Sequence, residues 1–598
     1  MSLSFMGGLV KSDQQFLPVT REEMDRLGWE QADVILVSGD AYVDHPAFGT
    51  AVLARIAAHC GLRVAVLPQP NWRDDLRDFK KLGPPKYFFG VSAGSMDSMV
   101  NHYTARRRKR SEDAYTPGGR PGYRPDMASV VYTRILKQLY PDTPVVLGGV
   151  EASMRRFSHY DYWEDRVRPS VLVESGADML LYGMAEMPFI RLIELLERGV
   201  PFSSLHNLLQ TAFVTGKDRS LPPLKGRNET VLPSHENCLS DKRVFADTFR
   251  IIEASSNRMD PDRLIQPHGE KLVVVNPPFP LPDQPGADLP WDLPYTRLPH
   301  PKYQKKPAIP AYEMIKHSVT LHRGCFGGCS FCAIAAHQGK FISSRSERSV
   351  LQELEKIVQM PGFKGHITDL GGPTANMYRM GGKDLAVCRK CRRPSCIFPN
   401  ICHNLDYNHN PLIRLYDKAL AVPGVKKMTI GSGIRYDMLE GPSASVNKAY
   451  GLDEYTRRLL LQHVSGRLKV APEHTEKQVL KSMRKPPFST FERFHSRFRD
   501  ICRREGLSWQ LIPYFISGHP GCRDRDMENL AAAVKRNGLR PEPVQEFTPT
   551  PMTLSTTMYY TGIDPYSGKR VFSARSDEAK KRQKAYFFDA PWCRGRSG

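Results

Sequence analysis

The sequence predicts an α/β protein made of two successive series of β-α units: a parallel, doubly wound sheet, then an open or partial barrel. Three observations carry this. The first 200 residues alternate short apolar runs with helical patterns, a proline-dense stretch interrupts them, and the alternation returns after Ala311. Strands that alternate with helices stack into parallel sheets covered on both faces. At roughly 100–200 residues per domain, 598 residues hold about three domains.

Taken in order, Thr20-Arg-Glu-Glu23 is a capping box that opens a short helix. A strand at 34–37 follows, ending in Ser38-Gly39-Asp40. From Pro46 the residues Phe48, Val52, Leu53, Ile56, Ala57 and Cys60 recur at helical spacing, and Gly61 stops that helix. Further strands are expected at 63–67, 87–91, 144–147 and 178–182. Between 201 and 310 the pattern weakens and prolines accumulate in NPPFPLPDQPGADLPWDLPYTRLPHP. Proline removes N–H donors from a ladder, so this region is expected to be a partly helical connector, not a packed sheet, with its best helix at 241–256. After Ala311 come a strand at 318–321, an amphipathic helix at 346–358 with Val350, Leu351, Leu354, Ile357 and Val358 on one face, and a strand at 366–370. More strands are expected at 427–430, 467–471 and 510–516. The domain organisation expected is therefore 1–200, a connector at 201–310, a barrel at 311–545 with a cysteine-rich insertion at 380–410, and a C-terminal extension with a basic tail at 546–598.

Hydrophobic residues make up 40% and charged residues 25% of the chain, and no run approaches the ~20 apolar residues of a membrane span. That excludes a membrane-spanning or wholly disordered protein. The first residues lack the basic start and apolar core of a secretory signal, so a cytoplasmic location is expected. Lys and Arg total 85 against 63 Asp and Glu, a net charge of +22 that attracts polyanions at long range. Part of it sits in RRRKR at 106–110, read as a solvated basic loop because no aromatic platform alternates with it.

The cysteines say more. Seven of twelve lie between Cys325 and Cys402, and clustered thiols in a cytoplasmic chain bind metal more often than they form disulfides. Directly after the strand at 318 comes His322-Arg-Gly-Cys-Phe-Gly-Gly-Cys-Ser-Phe-Cys332. Cys325, Cys329 and Cys332 form CxxxCxxC on a glycine-rich loop. Three thiolates at this spacing each reach a different iron of a [4Fe–4S] cluster and leave one iron open to a small molecule. A structural zinc knuckle or three unligated thiols are the alternatives, and zinc prefers four tetrahedral ligands with CxxC pairs.

Together, SVTLHRGCFGGCSFCAI, DLGGPTANMY, SGIRYD, LKVAPEHT, LIPYFISGHPG and FTPTPMTLSTTMYYTG resemble the YgiQ family of the radical SAM superfamily over about residues 20–570. The resemblance implies a Rossmann-like N-terminal domain followed by a radical SAM partial (β/α)6 barrel. It implies a cluster at Cys325, Cys329 and Cys332 that reductively cleaves S-adenosylmethionine, yielding a 5′-deoxyadenosyl radical that acts on a substrate. An electron donor such as flavodoxin or ferredoxin is expected, and RNA or a ribosomal protein is the substrate class that fits the motif likeness and the charge. Gly371 and Gly372 match the glycine motif that meets the methionine amino group, and Ser432 and Arg435 the strand that reaches ribose and carboxylate; a buried polar turn is the alternative for that pair. The N-terminal domain more loosely resembles cobalamin-binding domains. There Asp44 and His45 are adjacent instead of spaced as Asp-x-His, which argues against His45 as a cobalt ligand and leaves binding without a histidine open.

Two groups remain. Cys388, Cys391, Cys396 and Cys402, with His403 adjacent, could hold zinc or a second iron–sulfur cluster, or form an ordinary basic loop. Lys469, Glu473 and His474 fall at a strand C-terminus, where barrel enzymes keep reactive groups; Glu and His could move protons, or cap the next helix. His519 is read as a turn residue. The rival to a radical enzyme is an iron–sulfur nucleic-acid-binding or assembly factor without radical catalysis, which a fourth cysteine in the main loop would favour.

Overall fold

The computed structural model describes residues 15–539 and 544–588; Cys593 and the end of the expected tail lie outside them. The chain divides into two compact units. The first holds the chain up to Ser240 with Asp260–Lys316, the second Asp241–Met259 with the chain from His317 onward.

In the first unit Thr20 caps the helix Arg21–Arg26, its Oγ1 accepting the Glu23 N–H at 3.3 Å. The Glu23 carboxylate accepts the Val19 N–H at 2.7 Å, so the reciprocal half of the box is shifted by one residue. Five parallel strands follow: β1 (Val34–Ser38), β2 (Val64–Pro68), β3 (Phe88–Ser92), β4 (Val145–Gly148) and β5 (Met179–Leu181). Their order is β2-β1-β3-β4-β5, that of a doubly wound sheet. Every residue of β1 and β2 is buried, which is why these strands read as unbroken apolar runs.

The sheet then continues where the sequence predicts a connector. β6 (Thr211–Gly216), β7 (Glu229–Val231), β8 (Arg263–His268) and β9 (Lys271–Val275) extend it in the order β6-β9-β8-β7. β6 runs antiparallel to both β5 and β9. The expectation fails because the dense prolines sit outside the ladders, β9 ending at Val275 before Pro277 and Pro278, while Pro267 is kept in the β8–β9 ladder opposite Leu272, beyond Ile265 where pairing with β7 stops. The helix Lys242–Ser256, capped by Asp241, belongs to the second unit, where Phe249 packs against Leu554 and Met558.

Among the described residues the barrel of the second unit is built on six strand positions. They are β10 (Ser318–Thr320), β11 and β12 (His366–Ile367, Asp369–Gly371), β13 (Lys427–Met428), β14 (Arg467–Glu473), β15 (Gln510–Ser517) and β16 (Gln545–Glu546). Pairing is parallel between β10 and β12, β11 and β13, β14 and β15, and β15 and β16. Among the described residues no ladder joins β13 to β14, so the barrel is open. The helix Glu347–Val358 starts at Ser346, whose Oγ accepts the Ser349 N–H at 3.1 Å. Val350, Leu354 and Ile357 are buried on its inner face, and the buried Arg345 pairs with Glu353 while donating to the Thr320 carbonyl of β10 at 2.9 Å. Among the described residues no helix is long and apolar enough to cross a membrane.

Candidate active site

The cysteine loop leaves the C-terminal end of β10. His322–Arg323 pairs antiparallel with Ser343–Ser344, and the Cys325 N–H donates to the Gly339 carbonyl at 3.1 Å, so the loop returns on itself. Glycine is required at Gly324 and Gly328. Their φ values are +86° and +62°, and a Cβ would strike the Phe341 carbonyl at the first and stand 2.8 Å from the Ser395 Cβ at the second.

All three thiols are free and partly buried. N–H donors reach them: Gly327 N–H to Cys325 Sγ at 3.4 Å and Ile334 N–H to Cys332 Sγ at 3.5 Å. Thr374 Oγ1 lies 3.6 Å from Cys325 Sγ. Burial pushes the Cys332 thiol up to about 12, with Cys329 and Glu473 adding, and raises Cys325 as well. Such thiols are poor thiolates alone, and a bound metal deprotonates them outright. Among the described residues no three His, Cys, Asp or Glu side chains converge on the shell of a single ion.

Arg435 lies directly on this loop. Its Nη1 donates to Cys329 Sγ at 3.3 Å, and Nε and Nη2 form a two-point pair with Asp437 at 2.9 and 2.6 Å. Burial opposes its charge, yet Asp437 and the Cys329 thiol hold it well above the ordinary arginine range. Arg435 is therefore a partner of the thiols, where the sequence predicts a contact to ribose or carboxylate. Ser432 is half-buried and bonded to Asp369 through both Oγ and N–H, the N–H at 3.1 Å. The glycines also differ from expectation on their Cβ side. A Cβ on Gly372 would stand 2.7 Å from His322 Nε2, and one on Gly371 2.7 Å from Ser432 Oγ. Both glycines make room for protein side chains, and the Gly371 carbonyl already accepts the Leu321 N–H at 2.6 Å.

The three residues expected at the end of β14 separate. Glu473 is buried at φ +69°, after a break in the register with β15, and lies 3.8 Å from the buried Lys485. Burial raises its pKa, against the attraction of Lys485 and Arg435. His474 is fully buried; its Nδ1 accepts the Glu476 N–H at 3.0 Å, ahead of the helix Lys477–Met483, and Nε2 meets Cys522 Sγ at 3.5 Å. Burial takes it down to about 3, so it stays neutral and holds the turn before that helix through the Glu476 N–H. Lys469 is exposed, on the outward phase of the strand, with Nζ 5.8 Å from the Tyr514 ring centre; it does not line the site.

Sequence reasoning missed Asp437, Lys485, Ser330 and Ser555. Asp437 had a signal, standing two residues after Arg435 in SGIRYD. The others are brought in by tertiary structure. Ser330, inside the cysteine motif, meets Ser555 Oγ at 2.8 Å, and Ser555 Oγ lies 2.7 Å from His519 Nε2. The Pro520 carbonyl can only accept, so His519 Nδ1 carries the proton at 2.7 Å and Nε2 accepts from Ser555, leaving Ser330 to donate to Ser555. His519 thus braces the loop through Ser555.

Elsewhere, His45 is buried in the first unit. Its Nδ1 accepts the Ala47 N–H at 3.0 Å and its Nε2 faces Arg297 Nη2 at 2.8 Å, while Asp44 pairs with Arg55. The basic run is exposed from Arg107 to Arg110; Lys109 and Arg110 border a cavity of about 220 Å³ that Arg73, His102, Arg124 and Asp126 also line.

Residues 16–318 match the family described as radical SAM N-terminal, and 542–588 match a domain of unknown function, DUF3362. The chain is 56% identical over 573 residues to a UPF0313 protein of Porphyromonas gingivalis, covering 96% of this chain and 90% of the relative. It is 54% identical over 586 residues to a UPF0313 protein of Bacteroides thetaiotaomicron, covering 96% and 94%. Two solved structures are similar at lower level. The radical S-adenosylmethionine methyltransferase TsrM from Kitasatospora setae, with cobalamin and a [4Fe-4S] cluster bound, gives 14% identity, 93% and 91% coverage and a TM-score of 0.47. The cobalamin-dependent S-adenosylmethionine radical enzyme OxsB gives 12%, 88% and 54%, and 0.47. On the identity and coverage of its relatives, the chain belongs to the UPF0313 family, the YgiQ family of the radical SAM superfamily, and is a radical SAM enzyme.

Proposed function

We propose that Cys325, Cys329 and Cys332 hold a [4Fe–4S] cluster with one iron left open, and that S-adenosylmethionine binds there beside Arg435, Asp437, Glu473 and Lys485. The observation that carries this is the Arg435 guanidinium at 3.3 Å from Cys329 Sγ, a fixed positive charge placed against a thiol set of three. The donor set fits the group: three free thiols, N–H donors aimed at two of them, and a loop whose glycines admit no Cβ. When bound, the cluster and S-adenosylmethionine supply reductive cleavage and a 5′-deoxyadenosyl radical that removes hydrogen from a substrate.

The chain's own part is binding and orientation. Arg435 and Lys485 are cationic and Asp437 is anionic, both signs that a zwitterionic methionine moiety needs. Asp437, whose pKa burial pushes up but Arg435 brings below the usual carboxylate value, stays ionised. Glu473 is the one residue of the β14 set whose carboxyl is placed to hold a proton beside the site, because burial favours its neutral form. His322 fixes the start of the loop, its Nε2 donating to the Thr374 carbonyl at 2.9 Å.

The test is anaerobic reconstitution of the full chain with iron and sulfide, followed by dithionite, S-adenosylmethionine and chromatography for 5′-deoxyadenosine. Dithionite stands in for a flavodoxin or ferredoxin. Parent enzyme is expected to release 5′-deoxyadenosine, and Cys325→Ala, Cys329→Ala and Cys332→Ala each to release none. A parent with a full cluster and no 5′-deoxyadenosine would move the reading to a structural cluster without radical catalysis.

A further inference from the structure

We propose that Cys388, Cys391, Cys396 and Cys402 hold a second iron–sulfur cluster, packed against the first cysteine loop. The insertion that carries them is closed at its base by an antiparallel ladder, Gly381–Gly382 against Leu405–Asp406. Asn404 fastens the same base, accepting the Asp384 N–H at 2.9 Å and donating to the Asp384 carbonyl at 2.8 Å. The short helix Leu385–Lys390 carries Cys388 and ends at Cys391, whose N–H donates to the Cys388 carbonyl at 3.1 Å. The Cys402 N–H donates to the Cys396 carbonyl at 2.7 Å, closing the other pair.

All four thiols are free and partly buried. They share one field: Cys396 interacts with Cys402, Cys391 and Cys388, and Cys388 with Cys391 and Cys402. Donors and a cation are already turned to the sulfurs. Arg393 N–H reaches Cys391 Sγ at 3.4 Å and Asn404 Nδ2 reaches Cys388 Sγ at 3.3 Å. Lys340, only 2% exposed, donates to the Arg393 carbonyl at 2.9 Å and acts on both Cys388 and Cys396. A four-thiolate cluster is anionic, and Lys340 is a basic side chain beside two of its ligands, Cys388 and Cys396. Gly382 completes the cradle, since a Cβ there would strike Cys388 Sγ and crowd Asn404.

Four thiolates can hold either zinc or an iron–sulfur cluster, and metal analysis separates the two. The two thiol sets are also joined directly: Cys396 N–H donates to the carbonyl of Phe326, the neighbour of Cys325, at 3.0 Å, and Ser395 Oγ donates to the Gly327 carbonyl at 2.8 Å. One peptide and one hydrogen bond separate them.

Iron, acid-labile sulfide and zinc are measured per full chain after anaerobic reconstitution, with Mössbauer spectra to identify the cluster. At four irons per cluster, the parent is expected to carry about eight irons, the Cys325/Cys329/Cys332→Ala variant about four, and the Cys391→Ser/Cys396→Ser variant about four. Circular dichroism checks folding, and Cys402→Ser serves where the pair variant does not fold. About four irons in the parent and none in the triple variant overturn the proposal and leave the first cluster standing. About one zinc and no iron in the triple variant also overturns it. Iron lost only on changing Cys391 and Cys396 keeps the second site and removes the first.

Discussion

At the scale of single residues, the candidate site is set by what occupies the space beside glycines and by one guanidinium. A Cβ on Gly372 would stand 2.7 Å from His322 Nε2, so Gly372→Ala forces that ring away from the Thr374 carbonyl. The expected loss is about 1–3 kcal/mol of stability, the usual cost of overpacking. Combining it with His322→Ala is expected to cost less than the sum of the two, because the clash disappears. Denaturant unfolding of the four proteins checks this, and strict additivity would refute the contact. Arg435→Lys keeps a cation for Asp437 but cannot make the two-point pair and also reach Cys329. Cluster retention is expected to fall about 10–100-fold, the scale for residues that support metal ligands. Iron loss during chelator titration reads it, and parent-like retention would show that Arg435 does not support the cluster.

At the scale of elements, the helix Leu554–Thr561 reaches from the region matched to the domain of unknown function into the cysteine loop. Ser555 provides two tethers to Ser330, one through Oγ and one from its N–H to the Ser330 carbonyl at 2.9 Å, and holds His519 as well. Ser555→Ala keeps the backbone tether but leaves buried partners unsatisfied, a loss of about 1–3 kcal/mol. Faster bleaching of the cluster absorbance in air is the expected result, and an unchanged bleaching rate would assign Ser555 to packing alone. Strands β1 to β5 of the first unit and the helix Glu347–Val358 were legible because long apolar periods overdetermine them. The four strands from 211 to 275 were not, since the dense prolines just after Val275 dominated the reading of the whole stretch.

Across the whole molecule, burial lowers a set of imidazoles that includes His268, His322 and His409 at about 4 and His474 and His519 at about 3. Each is neutral when folded, whereas the unfolded chain takes up the proton near pH 6.5. Below that pH the unfolded state binds more protons, so stability is full above pH 6.5 and falls as pH drops toward 4 or 3. The slope approaches ~1.4 kcal/mol per pH unit for each histidine. Denaturant midpoints should be flat from pH 8 to 7 and fall from 6.5 to 5, with a shallower fall in His409→Gln. An equal slope in that variant would contradict the buried neutral state of His409. The sequence by itself determined the two β-α series, the three-cysteine loop and the family, because strand periodicity and CxxxCxxC are local patterns whose meaning survives without a partner. Only the tertiary structure decided that Arg435 faces a thiol, that His474 is buried against Cys522, that Lys469 points outward, and that Lys485, Ser555 and the second cysteine group gather at the loop. Those assignments depend on contacts between residues up to 225 positions apart, and no local pattern encodes which of many buried polar groups will meet.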